Sequence, residues 1–147
     1  MRRFERYVAI GDSTVEGLDD PDGQGGYRGW ANRLAERIAR EQGELRYANL
    51  AVRGRKTREV LDEQLAAALE MRPDLAAVVA GTNDILRTRF DAEAVAKDIE
   101  RMQRALIDAG ATVVSFTLPD LAPVMPLARP LRDRIRRFAR ALVEASA

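Results

Sequence analysis

Residues 75–84 read LAAVVAGTND, an unbroken apolar run that passes directly into a glycine and three polar residues. A short, continuously apolar segment of this kind is typical of a strand that is covered on both faces in a parallel sheet. Two further segments repeat the arrangement. Residues 7–10 run into Gly-Asp-Ser at 11–13, and a strand predicted over 45–52 overlaps a polar cluster at 49–54. Each polar cluster therefore lies at the carboxyl end of a predicted strand.

Helical periodicity separates these strands. Apolar residues recur at three- and four-residue spacing in four stretches. The four stripes are Trp30, Leu34 and Ile38; Val60, Leu61, Leu65 and Leu69; Val95, Ile99, Met102 and Leu106; and Leu131, Ile135, Phe138 and Leu142. A fourth strand is predicted over 112–118 and a proline-rich loop over 119–130. The order β-α-β-α-β-α-β-α predicts one α/β domain over 1–147, with helices on both faces of a parallel sheet.

We therefore predict a three-layer α/β/α sandwich with a flavodoxin-like sheet of strand order 2-1-3-4. Sheets of this type bind ligands beyond the carboxyl ends of their strands. Neighbouring strands lie about 4.8 Å apart, and the first strand lies between the second and the third. The three polar clusters are therefore expected within roughly 10 Å of one another.

Composition excludes several classes of function. The formal charge is +1, so no net field draws the protein to nucleic acid or to an anionic membrane. The chain has no cysteine and no histidine, which removes disulfides, a cysteine nucleophile and the usual ligands of catalytic zinc. The first apolar run is too short for a signal peptide, and none approaches a membrane span. The expected setting is the cytoplasm.

The residue types in the three clusters suit the hydrolysis of an ester. Ser13 lies where the first strand ends and offers an oxygen nucleophile. The backbone N–H groups of Ser13 and Gly54, together with the Asn83 side-chain amide, supply three donors for the oxyanion of a tetrahedral intermediate. Gly54 has no Cβ, so the backbone there can approach a substrate closely. Val15 occupies the place of the second glycine in G-x-S-x-G, so this is not the nucleophile elbow of α/β-hydrolases.

Three segments resemble, in order and spacing, sequence blocks of the SGNH/GDSL hydrolase family. They are Gly-Asp-Ser at 11–13, Asn-Leu-Ala-Val-Arg-Gly at 49–54 and Gly-Thr-Asn-Asp at 81–84. The first block of the family carries the nucleophile, and the other two supply a glycine and an asparagine as oxyanion donors. The resemblance extends from about residue 7 to about residue 119.

The resemblance implies a serine esterase that forms an acyl intermediate on Ser13. The implied substrate is a small molecule, either a simple ester or an acylated sugar, and no cofactor is needed. Gly54 and Asn83 match the oxyanion donors of the family. Asp12 and Asp84 are expected to support the site, Asp12 through hydrogen bonds to the backbone of its loop.

One block of the family has no counterpart in this sequence. The Asp-x-x-His block supplies the general base and its orienting carboxylate, and the chain ends at Ala147 without it. The resemblance thus implies a domain truncated before its fifth strand, with no base for Ser13 and with impaired turnover. The fourth strand is then an unpaired edge, a site for a homodimer contact, for swapping or for aggregation.

Two other classes of function stay open. The first is a non-catalytic remnant of the SGNH fold that holds acyl or sugar ligands, which the absence of histidine favours. The second is a flavodoxin-like signalling or phosphate-binding domain. That class requires an acidic pocket with a strand-end lysine, or a cofactor-binding loop, and the sequence has neither pattern.

Structural roles compete for the same candidate residues. Ser13 could cap a turn or a helix, Gly54 could be a turn glycine, and Asn83 or Asp84 could cap the helix that follows. Asp84 or Glu16 could also replace the missing base, although carboxylates are poor bases for a serine hydroxyl at neutral pH.

Two remaining features favour ordinary structural interpretations. Asp19, Asp20 and Asp22 suggest a calcium loop, but the EF-hand spacing is absent, and a flexible loop on the substrate side is preferred. Trp30 is interpreted as a core anchor, with a substrate wall second. The arginines of the last helix are expected on its solvated flanks rather than in a nucleic-acid surface: Arg129, Arg132, Arg134, Arg136, Arg137 and Arg140.

Overall fold

The computed structural model describes residues 3–117 and 126–145. All eight predicted strands and helices are present, and two short helices follow the first and third strands. The strands are β1 (Arg6–Gly11), β2 (Arg46–Asn49), β3 (Leu75–Val79) and β4 (Thr112–Val114). The helices are α1 (Ser13–Glu16), α2 (Gly29–Gln42), α3 (Thr57–Glu70), α4 (Thr82–Ile85), α5 (Ala92–Asp108) and α6 (Arg129–Ala145).

The four strands form one parallel sheet in the order β2-β1-β3-β4. Tyr7 of β1 is in register with Tyr47 of β2 and with Leu75 of β3, and Leu75 is in register with Thr112 of β4. The predicted order and the α/β/α architecture are therefore confirmed. The carboxyl ends of β1, β2 and β3 lie side by side at one edge of the sheet.

Alternate residues of the central strands feed two separate cores. Val8 and Ile10 of β1 join the larger core, under α3, α5 and α6. Tyr7 and Ala9 point to the opposite face and join the smaller core, under α1 and α2. The continuous apolar runs in the sequence are explained by this burial on both faces, because every side chain of such a strand meets a helix layer.

β2 ends earlier than the sequence predicts, at Asn49 instead of residue 52. The Asn49 side chain accepts the N–H of Ala51 at 3.1 Å and donates to the carbonyl oxygen of Val15 at 2.8 Å. The N–H groups of Leu50 and Val52 still donate to β1, to the carbonyl oxygens of Ala9 at 2.8 Å and Gly11 at 3.2 Å. The chain therefore stays beside β1 through residue 52, and the loop that carries Gly54 follows.

The boundaries around the last strand and helix also differ from the prediction. β4 spans three residues, and the predicted loop over 119–130 lies largely outside the described residues. α6 begins at Arg129, so Pro130, predicted to lie in the loop, belongs to the first turn of the helix. Proline is well tolerated there because an N–H in the first turn has no partner within the helix.

One arginine of α6 has a structural role that the solvated-flank interpretation did not include. The Arg134 guanidinium donates to the carbonyl oxygens of Ile85 at 3.0 Å and Thr88 at 3.2 Å, and also to that of Arg87. These carbonyls lie at and just after the carboxyl end of α4. Arg134 therefore holds the segment after α4 against α6, at the edge of the sheet where the polar clusters lie.

Within the described residues, β4 pairs with β3 and with no other strand. The homodimer contact along this edge stays a prediction, which a molar mass from light scattering would test. Across residues 3–117 and 126–145, every helix is too short or too polar to span a membrane.

We expect Tyr7→Phe to stabilise the protein. Tyr7 is fully buried, and its hydroxyl has no hydrogen-bond partner in the described part of the chain. An unsatisfied buried hydroxyl costs about 1–3 kcal/mol, so its removal should raise the free energy of unfolding by about 1 kcal/mol. Tyr47→Phe is the matched control. The Tyr47 hydroxyl donates to Asn32 at 2.6 Å, and its loss should destabilise.

The same pair of variants has a pH signature. Burial, followed by the neighbouring Tyr47, raises the pKa of Tyr7 above its ordinary value, and burial raises the pKa of Tyr47. The folded state therefore keeps these phenolic protons longer than the unfolded state. The titration of these two groups therefore leaves the free energy of unfolding unchanged below a pH of about 10 and lowers it as the pH rises above that value. Urea unfolding at neutral and alkaline pH should show a shallower alkaline decline for Tyr7→Phe; an unchanged decline contradicts the assignment.

Candidate active site

The end of β1 is held in a narrow space that admits only glycine. A Cβ on Gly11 would lie 2.1 Å from the carbonyl oxygen of Val79 and 2.6 Å from Cγ2 of Val15. Gln64 of α3 binds the peptide groups on both sides of Gly11: its Oε1 accepts the N–H of Gly11 at 2.8 Å, and its Nε2 donates to the Gly11 carbonyl at 3.0 Å. β1 and β3 therefore approach closely just before Asp12.

Asp12 is the N-cap of α1 and is fully buried. Its Oδ1 accepts the backbone N–H of Thr14 at 3.0 Å and the Thr14 hydroxyl at 2.8 Å. Its Oδ2 accepts the Thr82 hydroxyl at 2.7 Å. The predicted role of Asp12 in orienting its own loop matches these hydrogen bonds, and the bond to Thr82 adds a contact with the loop after β3.

Ser13 is the first residue of α1 and is partly exposed. The cap is Asp12, so Ser13 does not have the capping role considered as its structural alternative. Its hydroxyl and its backbone N–H donate to no acceptor within the described part of the chain. Ser13 is thus an accessible hydroxyl at the N-terminal turn of a helix, beside a buried carboxylate.

The loop after β2 carries Gly54 with φ of +76°, a conformation that favours glycine. The preceding residue is anchored, because the Arg53 backbone N–H donates to Glu16 at 3.0 Å and the guanidinium pairs with the same carboxylate at 3.0 Å. The Arg53 guanidinium also lies over the Tyr27 ring, 4.6 Å from its centroid. These contacts leave Glu16 paired with Arg53, which does not favour it as the replacement base.

Asn83 and Asp84 connect the third cluster to the second. Asn83 Nδ2 donates to the carbonyl oxygen of Arg55 at 2.9 Å, which uses one of its two hydrogens. Asp84 Oδ2 accepts the backbone N–H and the hydroxyl of Thr57, both at 2.9 Å. The N-cap of α4 is Gly81, so neither residue caps that helix. The side chains that were alternatives for capping instead fix the start of α3.

Hydrogen bonds link the three clusters, together with the residues that directly follow the first two, in a closed ring. Asp12 bonds to Thr82, which joins the first cluster to the third. Asn83 bonds to Arg55, which joins the third to the second. Glu16 accepts the backbone N–H of the loop after β2, which joins the second to the first. The structure therefore brings together the three segments that sequence analysis placed in one site.

The loops joined by this ring also carry donors that have no acceptor. In the part of the chain that the structure describes, the backbone N–H groups of Ser13 and Gly54 have no acceptor, and one hydrogen of the Asn83 amide stays unused. Where such donors converge on one point, each typically stabilises a developing oxyanion by about 2.7–4 kcal/mol. The arrangement has the chemical components of acyl transfer except for a base beside Ser13.

Sequence reasoning missed two residues that hold the site. Gln64 was not noticed, although a glutamine between Val60 and Ala68 at four-residue spacing is a polar residue on a buried helix face. Thr82 was treated only as part of its motif. A buried polar side chain within an apolar stripe is the available signal, because it must find a hydrogen-bond partner in the core.

The acidic loop after α1 is explained without a metal ion. Asp20 pairs with Arg33 at 2.8 Å. Asp22 Oδ1 accepts the backbone N–H groups of Gln24 at 2.7 Å and Gly26 at 2.9 Å, which lower its pKa below the ordinary value. Trp30 was expected to be a core anchor. It packs against the smaller core, and its ring contacts Phe116 with centroids 4.6 Å apart.

Fold and loop arrangement together define a parallel α/β/α protein with a polar site at the carboxyl edge of its sheet. The sequence profile of the GDSL-like Lipase/Acylhydrolase family matches residues 9–147. The chain belongs to this family, whose members are esterases and lipases. No curated protein sequence matches the chain significantly.

Solved structures of esterases share this fold. A crystal structure of TesA superposes with a TM-score of 0.74 at 24% identity, covering 97% of this chain and 73% of TesA. A lipase/acylhydrolase from Enterococcus faecalis gives a TM-score of 0.72 at 22% identity, with 97% and 71% covered. The psychrotrophic esterase EstA from Pseudoalteromonas sp. gives 0.72 at 17% identity, with 97% and 72% covered. At these identities, the similarity establishes a common fold.

Proposed function

We propose that this chain is an SGNH-type serine ester hydrolase whose nucleophile is Ser13. The strongest support is the closed ring of hydrogen bonds among the three polar clusters. The ring holds an unpartnered serine hydroxyl beside loops that carry uncommitted N–H donors. The substrate is a small molecule, either a simple ester or an acylated sugar.

In the proposed reaction, Ser13 Oγ attacks the ester carbonyl carbon and loses its proton to a base. The carbonyl oxygen becomes an oxyanion, which the N–H groups of Ser13 and Gly54 and the Asn83 amide stabilise. Collapse of the tetrahedral intermediate breaks the bond to the alcohol oxygen, which leaves with a proton. Water then attacks the acyl-Ser13 ester, releasing the carboxylic acid and restoring the hydroxyl.

We further propose that turnover by this chain alone is impaired. The sequence contains no histidine, and Asp12, Asp84 and Glu16 already accept hydrogen bonds or pair with arginine. None of these carboxylates is a strong enough base for a serine hydroxyl at neutral pH. Serine hydrolases that have lost a triad member retain only about 10³–10⁴-fold acceleration over water.

The test is acylation of Ser13 by p-nitrophenyl acetate, with and without added imidazole. The activated ester should acetylate Ser13 slowly, as detected by peptide mass spectrometry. Dissolved imidazole should act as a general base and raise the nitrophenol release that depends on Ser13 at least about tenfold. Ser13→Ala should show neither the acetylation nor the increase that depends on Ser13. The nitrophenol release that remains in this variant with imidazole is the background rate. Ser115→Ala is the matched control, because Ser115 donates to Val78 within the sheet.

A non-catalytic ligand-binding protein is the second candidate function. The absence of histidine favours it. This candidate predicts no acetyl-Ser13 and equal rates for the parent chain and Ser13→Ala at every imidazole concentration. That outcome would overturn the proposal of an esterase.

A further inference from the structure

A pocket of about 370 Å³ is lined by residues close in sequence to two of the proposed oxyanion donors. Two lining residues give this relation. Lys56 follows Gly54 by two positions on the loop after β2, and Asp84 is the neighbour of Asn83. This neighbourhood makes the pocket the candidate position for a second part of the substrate, away from the reacting carbonyl.

Three cations line the pocket: Lys56, Arg87 and Arg89. Within the described residues, none of the three forms an ion pair. Nearby arginines behave differently, since Arg55 pairs with Glu63 at 2.8 Å and Arg58 pairs with Asp98 at 3.0 Å. The positive charge at this pocket is thus left without a directly bonded carboxylate.

The carboxylates around the pocket are already occupied by donors. Asp84 accepts both hydrogen bonds from Thr57. Asp91 is the N-cap of α5 and accepts the N–H of Ala94 at 3.0 Å. Glu59 accepts the N–H of Lys56 at 2.8 Å, which lowers the pKa of Glu59 below its usual range.

The nearby cations of Lys56, Arg55 and Arg87 lower the pKa of Glu59 further. The carboxylates therefore reduce the positive potential of the pocket without consuming the guanidinium donors of Arg87 and Arg89. These donors stay available for an anion.

The pocket also has a rigid apolar side. Phe90 and Val95 line it, and the Phe90 ring packs edge-on against Phe138 with centroids 6.0 Å apart. Phe138 is buried in the larger core. An apolar wall beside two guanidinium groups suits a short carbon chain that ends in an anion, because arginine binds carboxylate and phosphate oxygens in pairs.

We propose that the substrate of this site is an ester that carries an anionic group, a carboxylate or a phosphate, a short distance from the reacting carbonyl. The anion binds Arg87 and Arg89, with Lys56 adding charge, and the intervening carbons lie against Phe90. This inference rests on the proposed esterase function for its substrate, but the binding of the anion does not require turnover.

The test measures binding to the full chain with Ser13→Ala, which cannot acylate. The probes are monomethyl glutarate and dimethyl glutarate, which differ in one negative charge, and isothermal titration or ligand-detected NMR gives their affinities. The mono-anion should bind at least about tenfold more tightly, and the preference should weaken with salt. Inorganic phosphate, added as a competitor, distinguishes the two anions. If a low phosphate concentration displaces monomethyl glutarate, the site prefers phosphate; if it does not, the site prefers carboxylate.

Arg87→Gln/Arg89→Gln should remove the preference for the mono-anion. Arg37→Gln should keep it, since Arg37 pairs with Glu41 on the far helix α2. Equal affinity of the two glutarate esters, or an unchanged preference in the double variant, overturns the inference. If the preference is found while Ser13 proves unreactive towards p-nitrophenyl acetate and imidazole, the esterase proposal fails and the anion site stands.

Discussion

Gly11→Ala is expected to lower the free energy of unfolding by at least about 4 kcal/mol, which is close to unfolding a domain of this size. The added Cβ would lie 2.1 Å from the Val79 carbonyl oxygen and 2.6 Å from Val15 Cγ2. The first of these is a backbone atom of the adjacent strand β3, so relief requires the two central strands to separate. Overpacking usually costs about 1–3 kcal/mol. This clash should cost more, because no side-chain motion can relieve it.

Gly110→Ala is the matched control for this prediction. Gly110 also has a positive φ, +94°, but no atom lies within 4 Å of its added Cβ. Its variant should lose only about 1–2 kcal/mol, from backbone strain alone. Circular dichroism, urea unfolding and the yield of folded protein measure both variants, so an insoluble Gly11→Ala still gives a result. Comparable stability of the two variants would show that β1 and β3 do not approach as closely as described.

Asp12→Ala is expected to cost about 3–4 kcal/mol and to abolish acylation of Ser13. The change removes the N-cap of α1 and the acceptor for the hydroxyls of Thr14 and Thr82. Hydrogen bonds to a charged group contribute about 1.5–3 kcal/mol each, and a lost N-cap about 1 kcal/mol. These contributions are not additive, and burying the Asp12 charge itself costs free energy. The expected loss of stability is therefore smaller than the sum of the separate contributions.

A graded series separates the contributions of Asp12. Asp12→Asn keeps Oδ1 as the cap, and its amide can donate to the Thr82 hydroxyl, so it should lose only about 1–2 kcal/mol. Asp108→Ala, at the exposed end of α5, should change stability by less than about 0.5 kcal/mol. A double-mutant cycle with Thr82→Val should give a coupling of at least about 1 kcal/mol. If Asp12→Ala is as stable as Asp108→Ala, the buried carboxylate does not join the two loops.

The sheet was readable because its signals are local. The run at 75–84 combines continuous apolarity with an abrupt polar end, and that pattern depends only on neighbouring residues. The strand order followed from the strict alternation of strands and helices, which leaves few topologies. The candidate residues Ser13, Gly54 and Asn83 could be grouped because strand ends of a parallel sheet share one edge.

Strand lengths were predicted less well for a physical reason. β2 is regular only to Asn49, whose side chain bonds to Ala51 and to Val15, a residue of another element. Beyond it the chain keeps only hydrogen bonds donated to β1 by the N–H groups of residues 50 and 52. The short helices α1 and α4 were missed because four-residue helices have no periodicity to detect. Arg134 was expected to be solvated, and its carbonyl partners on the segment after α4 become adjacent only when α6 packs beside it.

The sequence by itself determined the α/β/α class, the strand order and the three segments that meet at the carboxyl edge. Periodicity and strand ends are properties of short stretches, and each stretch carries its own signal. Only the tertiary structure decided how the segments are joined, through Asp12 with Thr82, Gln64 with Gly11 and Glu16 with Arg53. These partners are 37 to 70 residues apart, and a hydrogen bond between them exists only once packing has brought the elements together.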